Sequence, residues 1–155
     1  MDKAAFERLY LDMLPGLYRL AQSVLRHPAD AQDAVQQAAA KAWAALDRLP
    51  PGHERAYFTR IVINECRNIQ RRRMRETPVP DIPDRGAPPG DRELALAIDA
   101  LPEDLRLTLL MKYMEGYGER EIAAALGIGI PAVKSRLYRA RRRLERTLKE
   151  EVALE

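Results

Sequence analysis

Cysteine is almost missing from this chain: Cys66 stands alone among 155 residues. One thiol excludes an internal disulfide and cannot build a cysteine-based metal site, as suits a reducing cytosol. Histidine is nearly as scarce, with only His27 and His53. These two and Cys66 sit in separate segments, no paired carboxylates or metal-ligand spacings recur, and neither a P-loop nor a GxGxxG stretch is present. Nothing in the residues therefore points to an enzyme, a metal or a cofactor. No apolar run approaches the roughly 18 residues that a membrane span requires, and Met1 opens onto a charged amphipathic segment without a signal-peptide core. The expectation is a soluble cytoplasmic protein with no membrane insertion. An excess of charge of one sign is also lacking: 26 basic against 23 acidic residues leave a net +3, so any argument about nucleic acid rests on where the charges sit.

What is present is helical periodicity broken by proline. Phe6, Leu9, Tyr10, Met13 and Leu14 repeat at spacings of three and four. After Pro15, placed for the first turn of a second helix, Leu17, Leu20, Ala21, Val24 and Leu25 do the same. From Ala29 to about Leu46 the chain is rich in alanine and offers a narrow stripe of Ala31, Val35, Ala38, Ala39, Ala42 and Leu46. A further helix is expected from about Glu54 to Arg75, with Tyr57, Phe58, Ile61, Val62, Cys66 and Ile69 inward and a strongly basic end. Pro78, Pro80, Pro83, Pro88 and Pro89 then stop helix propagation. At about 3.1 Å per residue, an extended path through residues 77–90 reaches roughly 40 Å, so a rigid compact pairing of the flanking parts is not implied. Beyond it, Leu94, Ile98 and Leu101 begin one helix, and Leu105, Leu109, Leu110, Tyr113 and Met114 mark the next. The prediction is an all-α chain of two small helical domains, residues 1–76 and 91–155, joined by a proline-rich linker over 77–90.

The most specific pattern lies near the end. Ile122, Ala123 and Leu126 face inward on a short helix, Gly127 turns, and Val133, Leu137, Ala140 and Leu144 line the next helix, which reads as a helix-turn-helix. Between residues 126 and 149, eight basic side chains face the single acid Glu145. Lys134, Ser135, Tyr138, Arg139 and Arg142 share the outward surface, where such a helix meets base edges and phosphates. Arg139 has the donors for a guanine edge, and the arginines from Arg141 onward suit the backbone. Arg146 and Lys149 also fit a solvated helix end favoured by the dipole.

The stretch "ALPEDLRLTLLMKYMEGYGEREIAAALGIGIPAVKSRLYRARRRL" resembles the C-terminal domain of bacterial RNA polymerase sigma factors of the extracytoplasmic-function (ECF) type in the sigma-70 family. In the N-terminal half, "DAQDAVQQAAAKAW" is similar to that family's polymerase-binding helix and "YFTRIVINECRNIQRRR" to its promoter-melting helix. The resemblance implies a dissociable promoter-specificity subunit whose partners are core RNA polymerase, promoter DNA and an anti-sigma factor. It carries Asp33, Val35 and Gln36 onto the polymerase interface, and Tyr57, Arg60, Asn64, Arg67 and Arg71 onto the melting element. Capturing an unpaired base needs a polar pocket with an aromatic wall and basic groups for phosphates. Tyr57 fits either that wall or the core.

Departures from the family pattern are visible. Gln32, Ala34, Gln37, Ala39 and Ala40 replace its usual acid, bulky apolar, acid, aromatic and leucine positions, so the docking surface is smaller and less charged. Gly118 and Gly129 stand where serine caps are usual, and Ala132 replaces a threonine that can touch phosphate. The linker acids Asp81, Asp84 and Asp91 fit either nucleic-acid mimicry or a solvated spacer. Two other readings stay open: a stand-alone helix-turn-helix regulator, and a non-initiating sigma mimic that sequesters a regulator.

Overall fold

The computed structural model describes the backbone of residues 1–76 and 92–154, with side chains to Glu150. The proline-rich stretch and its Asp81, Asp84 and Asp91 lie outside the described residues. The described residues form seven α-helices and no strand. They are α1 (Lys3–Leu25), α2 (Pro28–Ala44), α3 (Glu54–Met74), α4 (Arg92–Asp99), α5 (Glu103–Tyr113), α6 (Glu119–Leu126) and α7 (Ile130–Leu154). A short 3-10 turn over Leu46–Arg48 follows α2.

Pro15 does not divide the first segment. Helix α1 runs through it, capped by the Asp2 carboxylate, which accepts from the Ala5 N–H at 2.7 Å. A proline inside a helix forfeits the bond to the carbonyl four residues back. Here that carbonyl belongs to Leu11, whose residue is 67% exposed, so water can take the place of the lost donor. Of the expected stripe on α2, Ala31, Val35, Ala38 and Ala42 are buried and Ala39 and Leu46 half-buried, while Ala34, expected on the docking surface, is buried too and offers it no side chain. Small side chains let α2 lie close between α1 and α3.

Helix α3 departs from expectation in having two buried stripes rather than one. Phe58, Val62, Glu65 and Ile69 form the first, and Thr59, Ile63 and Cys66 form the second. Glu65 is buried and paired with Lys41 of α2. Phe58 packs against the rings of both Phe6 and Tyr10, at centroid distances of 5.9 and 6.1 Å. The second stripe meets the C-terminal helices. One continuous core holds Leu17, Leu20, Phe58 and Ile63 together with Leu107, Met111, Tyr117, Ile122, Val133 and Leu137. The two halves are thus packed together, where an extended spacer had left them free to separate. Helix α5 shows the same effect. It is buried nearly all round, through Leu105, Arg106, Leu107, Thr108, Leu109 and Met111, because it sits between α1 and α7. Tyr113 and Met114, expected inward, are exposed at its end.

Candidate nucleic-acid and polymerase interfaces

The helix-turn-helix forms as its residues predict. Gly118 is the N-cap of α6, and the Glu121 carboxylate accepts from its N–H at 3.2 Å, the half of a capping box that needs no side chain at the cap position. Gly127 ends α6 at φ +69°, a left-handed position in which a side chain is strained. Ile122, Val133, Leu137 and Ala140 are buried beneath the turn. That buried side fixes which face of α7 looks outward. Lys134, Ser135, Tyr138, Arg139 and Arg142 are all exposed on it.

The basic run is less uniform than its sequence suggests. Arg136 is mostly covered and lies 4.0 Å from Asp104 of α5. Arg141 donates to the Tyr113 hydroxyl at 3.2 Å and to the Leu137 carbonyl at 3.4 Å. Arg141 stays exposed all the same, so these contacts tether its guanidinium beside the outward run without burying it. Arg143 and Arg146 line an open cleft of about 350 Å³ between α4 and α7, above Ala97, Ala100 and Leu101.

On α3, Arg60 and Asn64 are exposed one turn apart, Arg67 and Tyr57 are half-buried, and Arg71 is exposed with its guanidinium on the Asn68 side-chain oxygen. Tyr57 thus stands at the edge of the core, open to a ligand on one side. The loop that precedes α3 carries Gly52 at φ +81°, and its backbone N–H reaches the Glu54 carboxylate at 3.1 Å. Together with the backbone N–H of Glu54 itself, this contact holds that carboxyl below the usual range.

On α2, Asp33 and Gln36 are exposed, and Asp33 accepts from the Gln37 side chain at 3.0 Å. Val35 does not join them. It is 2% exposed within the core, so it supports the helix from below and offers no surface to a partner. Trp43 is 40% exposed, edge-on to Phe6 at 5.5 Å and beneath the Lys3 ammonium, part anchor and part surface. Cys66 is fully buried, and burial pushes its thiol up to about 12, so it is unreactive in the folded chain. Among the described residues no group of His, Cys, Asp and Glu could hold a metal, and no helix is long and apolar enough to cross a membrane.

Sequence reasoning missed one set of residues, those that join the halves. Arg19 donates to the Glu115 carboxylate at 2.7 and 2.9 Å. That carboxylate fits against α1 because residue 16 is glycine: a Cβ there would meet the Glu115 oxygen at 2.6 Å. Arg55 stacks 4.3 Å from the Tyr117 ring centroid and donates to the Glu115 carbonyl at 3.2 Å. The Thr59 and Tyr117 hydroxyls are 3.0 Å apart. Arg106, buried, donates to the Leu101 carbonyl at 2.9 Å and the Ser23 carbonyl at 2.7 Å. The one available signal was the second stripe on α3, Thr59, Ile63, Cys66 and Gln70, whose spacing of four, three and four marks a further neighbour.

The described helices set a helix-turn-helix against a basic three-helix body, and the chain's relatives show what class of protein this is. Residues 9–76 match sigma-70 region 2, and residues 91–144 match sigma-70 region 4. The chain is 33% identical to the ECF RNA polymerase sigma factor SigM of Mycobacterium tuberculosis, over 95% of its own length and 79% of the relative's. Its fold matches the sigma factor RpoE of Bartonella quintana, solved with the anti-sigma factor NepR, at TM-score 0.76 and 30% identity, covering 94% of this chain and 97% of that one. CnrH, solved with the cytosolic domain of CnrY, matches at TM-score 0.71 and 27% identity over 96% of this chain and 90% of that one. The chain belongs to the ECF sigma factors of the sigma-70 family, the promoter-specificity subunits of bacterial RNA polymerase.

Proposed function

We propose that the chain divides initiation among three helices. On α2, Asp33 and Gln36 dock on core polymerase. On α3, Arg60 and Asn64 take an unpaired promoter base against Tyr57, with Arg67 and Arg71 on its phosphates. On α7, Lys134, Ser135, Tyr138, Arg139 and Arg142 read the upstream duplex. Residues 1–76 and 91–155 act as separate domains in this scheme, with 77–90 as the linker between them. The chain works in the cytoplasm, and the chemistry is polymerase's own. A partner of the kind seen with RpoE and CnrH, an anti-sigma factor, holds it when idle.

The observation that carries the reading is the exposed polar face of α7, set by the buried face beneath it. Amino groups, guanidinium forks and hydroxyls on one outward surface are what phosphates and base edges require. The test is transcription in vitro with core polymerase, this chain and a promoter library, the start sites being sequenced. Specific starts are expected. Their absence, with duplex binding retained and no association with core polymerase, would return the chain to a stand-alone regulator. The alanine-rich α2 surface, with Gln32 and Ala40 exposed, also suits a non-initiating mimic. That reading predicts anti-sigma binding without starts.

A further inference from the structure

The outward face of the helix-turn-helix is not purely cationic. Among the described residues, two carboxylates pair with its cations. Glu145 lies on α7 itself, three residues beyond Arg142 and 4.0 Å from it, an ordinary exposed pair along one helix. Glu119 is placed differently. It opens α6 and reaches across to the next helix, where its carboxylate stands 3.9 Å from the Lys134 ammonium. Its side chain is 32% exposed against 65% for that of Lys134, so the acid is the more confined partner, at the edge of the surface offered to DNA.

An acid at that surface is costly on every duplex, because phosphates repel it. Only a base that presents a donor offsets the cost. In the major groove cytosine offers its N4 amino group with no acceptor beside it, whereas the adenine amino group adjoins N7, guanine presents two acceptors, and thymine an acceptor and a methyl group. We propose that Glu119 is a specificity-determining residue: its carboxylate accepts from a cytosine amino group at one position of the upstream box, with Lys134 between it and the phosphates so that an acid is tolerated there. This inference rests on the duplex-reading role given to α7. The first turn of α7 leaves room for such a contact, since Pro131 and Ala132, which precede Lys134, bring no polar side chain of their own. An acid in the first turn of a helix also suits the helix dipole, but that benefit appears in stability and not in the choice of base.

The experiment uses holoenzyme made from core polymerase and the full-length chain. It is bound to a pool of duplexes carrying each base pair at each position of the upstream box, and the bound fraction is sequenced; affinity for a scrambled box is measured in parallel. The natural chain is expected to favour cytosine at one position by a factor of roughly 5 to 150. Glu119→Ala should flatten that position to below about twofold, leave the position read by Arg139 unchanged, and tighten the scrambled duplex by roughly two- to fivefold. Lys134→Met leaves the carboxylate facing phosphates, so it should weaken the scrambled duplex more in the natural chain than in Glu119→Ala, by a similar factor. Glu119→Ala that tightens every duplex alike, with all base preferences intact, would overturn the cytosine contact. Equal losses from Lys134→Met in the two backgrounds would overturn the part given to Lys134. In both cases Arg139→Ala still relaxes its own position and the role of α7 stands, whereas a natural holoenzyme without preference at any position would bring down that role as well.

Discussion

The sharpest quantitative consequence concerns the salt dependence of duplex binding. Of the eight cations between Lys134 and Lys149, Arg136 is mostly covered beside Asp104 and Arg141 is tied to the Tyr113 hydroxyl, whereas Lys134 and Arg142, 3.9 and 4.0 Å from Glu119 and Glu145, keep exposed side chains. If Arg139 reads a base, Lys134, Arg142, Arg143, Arg146 and Lys149 are left to neutralise phosphates. Each neutralised phosphate contributes about 0.9 to the slope of log K against log salt, so this helix supplies a slope of at most about 4.5 in magnitude. That corresponds to a loss of about 500-fold in affinity between roughly 50 and 200 mM salt. Arg142→Ala should therefore reduce the slope by about 0.9 and weaken all duplexes alike. Arg141→Ala should leave the slope unchanged. Arg139→Ala should cost about 1–3 kcal/mol on the cognate upstream box and relax one base position. Fluorescence anisotropy of the full chain on cognate and scrambled duplexes, titrated with salt, measures all three. Comparing variants cancels whatever α3 contributes to the total. Equal slopes lost by Arg141→Ala and Arg142→Ala would refute the division of this run into cations tied to tyrosine or a covered site and cations left for phosphates. A flat titration would refute phosphate binding altogether.

Three further outcomes are expected. Asp33→Arg, on the exposed face of α2, should abolish co-purification with core polymerase and leave duplex binding by α7 intact; retained co-purification removes Asp33 from the interface. Phe58→Ala should cost about 3–5 kcal/mol in chemical unfolding, since the ring is 1% exposed and lies against Phe6 and Tyr10. A loss below about 1 kcal/mol would mean that the aromatic cluster collapses around the gap. Stability should also fall in alkali. The Cys66 thiol stays protonated in the fold up to about 12, while in the unfolded chain it ionises near its ordinary value of 9.0. Above that value the folded state binds more protons than the unfolded one, so stability declines by up to about 1.4 kcal/mol per pH unit until the folded thiol itself titrates. Urea unfolding at a series of pH values should show this decline in the natural chain and lose this component in Cys66→Ala. The same slope in both would assign it to other groups.

Much of the molecule was legible from local pattern. The alanine stripe, the basic end of α3 and the glycine turn before α7 follow from periodicity and turn chemistry, which are properties of neighbours in sequence. The outward set on α7 followed as well, because the inner stripe of a helix dictates the outer one. Where prediction failed, the deciding partner was remote. Pro15 reads as a boundary until the packing of α1 along its length outweighs one lost hydrogen bond at exposed Leu11. Val35 reads as a contact residue by resemblance, yet the close approach of α1 and α3 encloses it.

The sequence alone settled the class of fold, the helix-turn-helix and the side of α7 that faces outward, since each depends on spacings of three and four within a single helix. Only the tertiary structure decided that the halves share a core, that Glu115 and Tyr117 bind back onto α1 and α3, and that Gly16 makes room for them. Those contacts join residues 58 to 99 positions apart, and periodicity within a helix shows that a face is buried without showing against what.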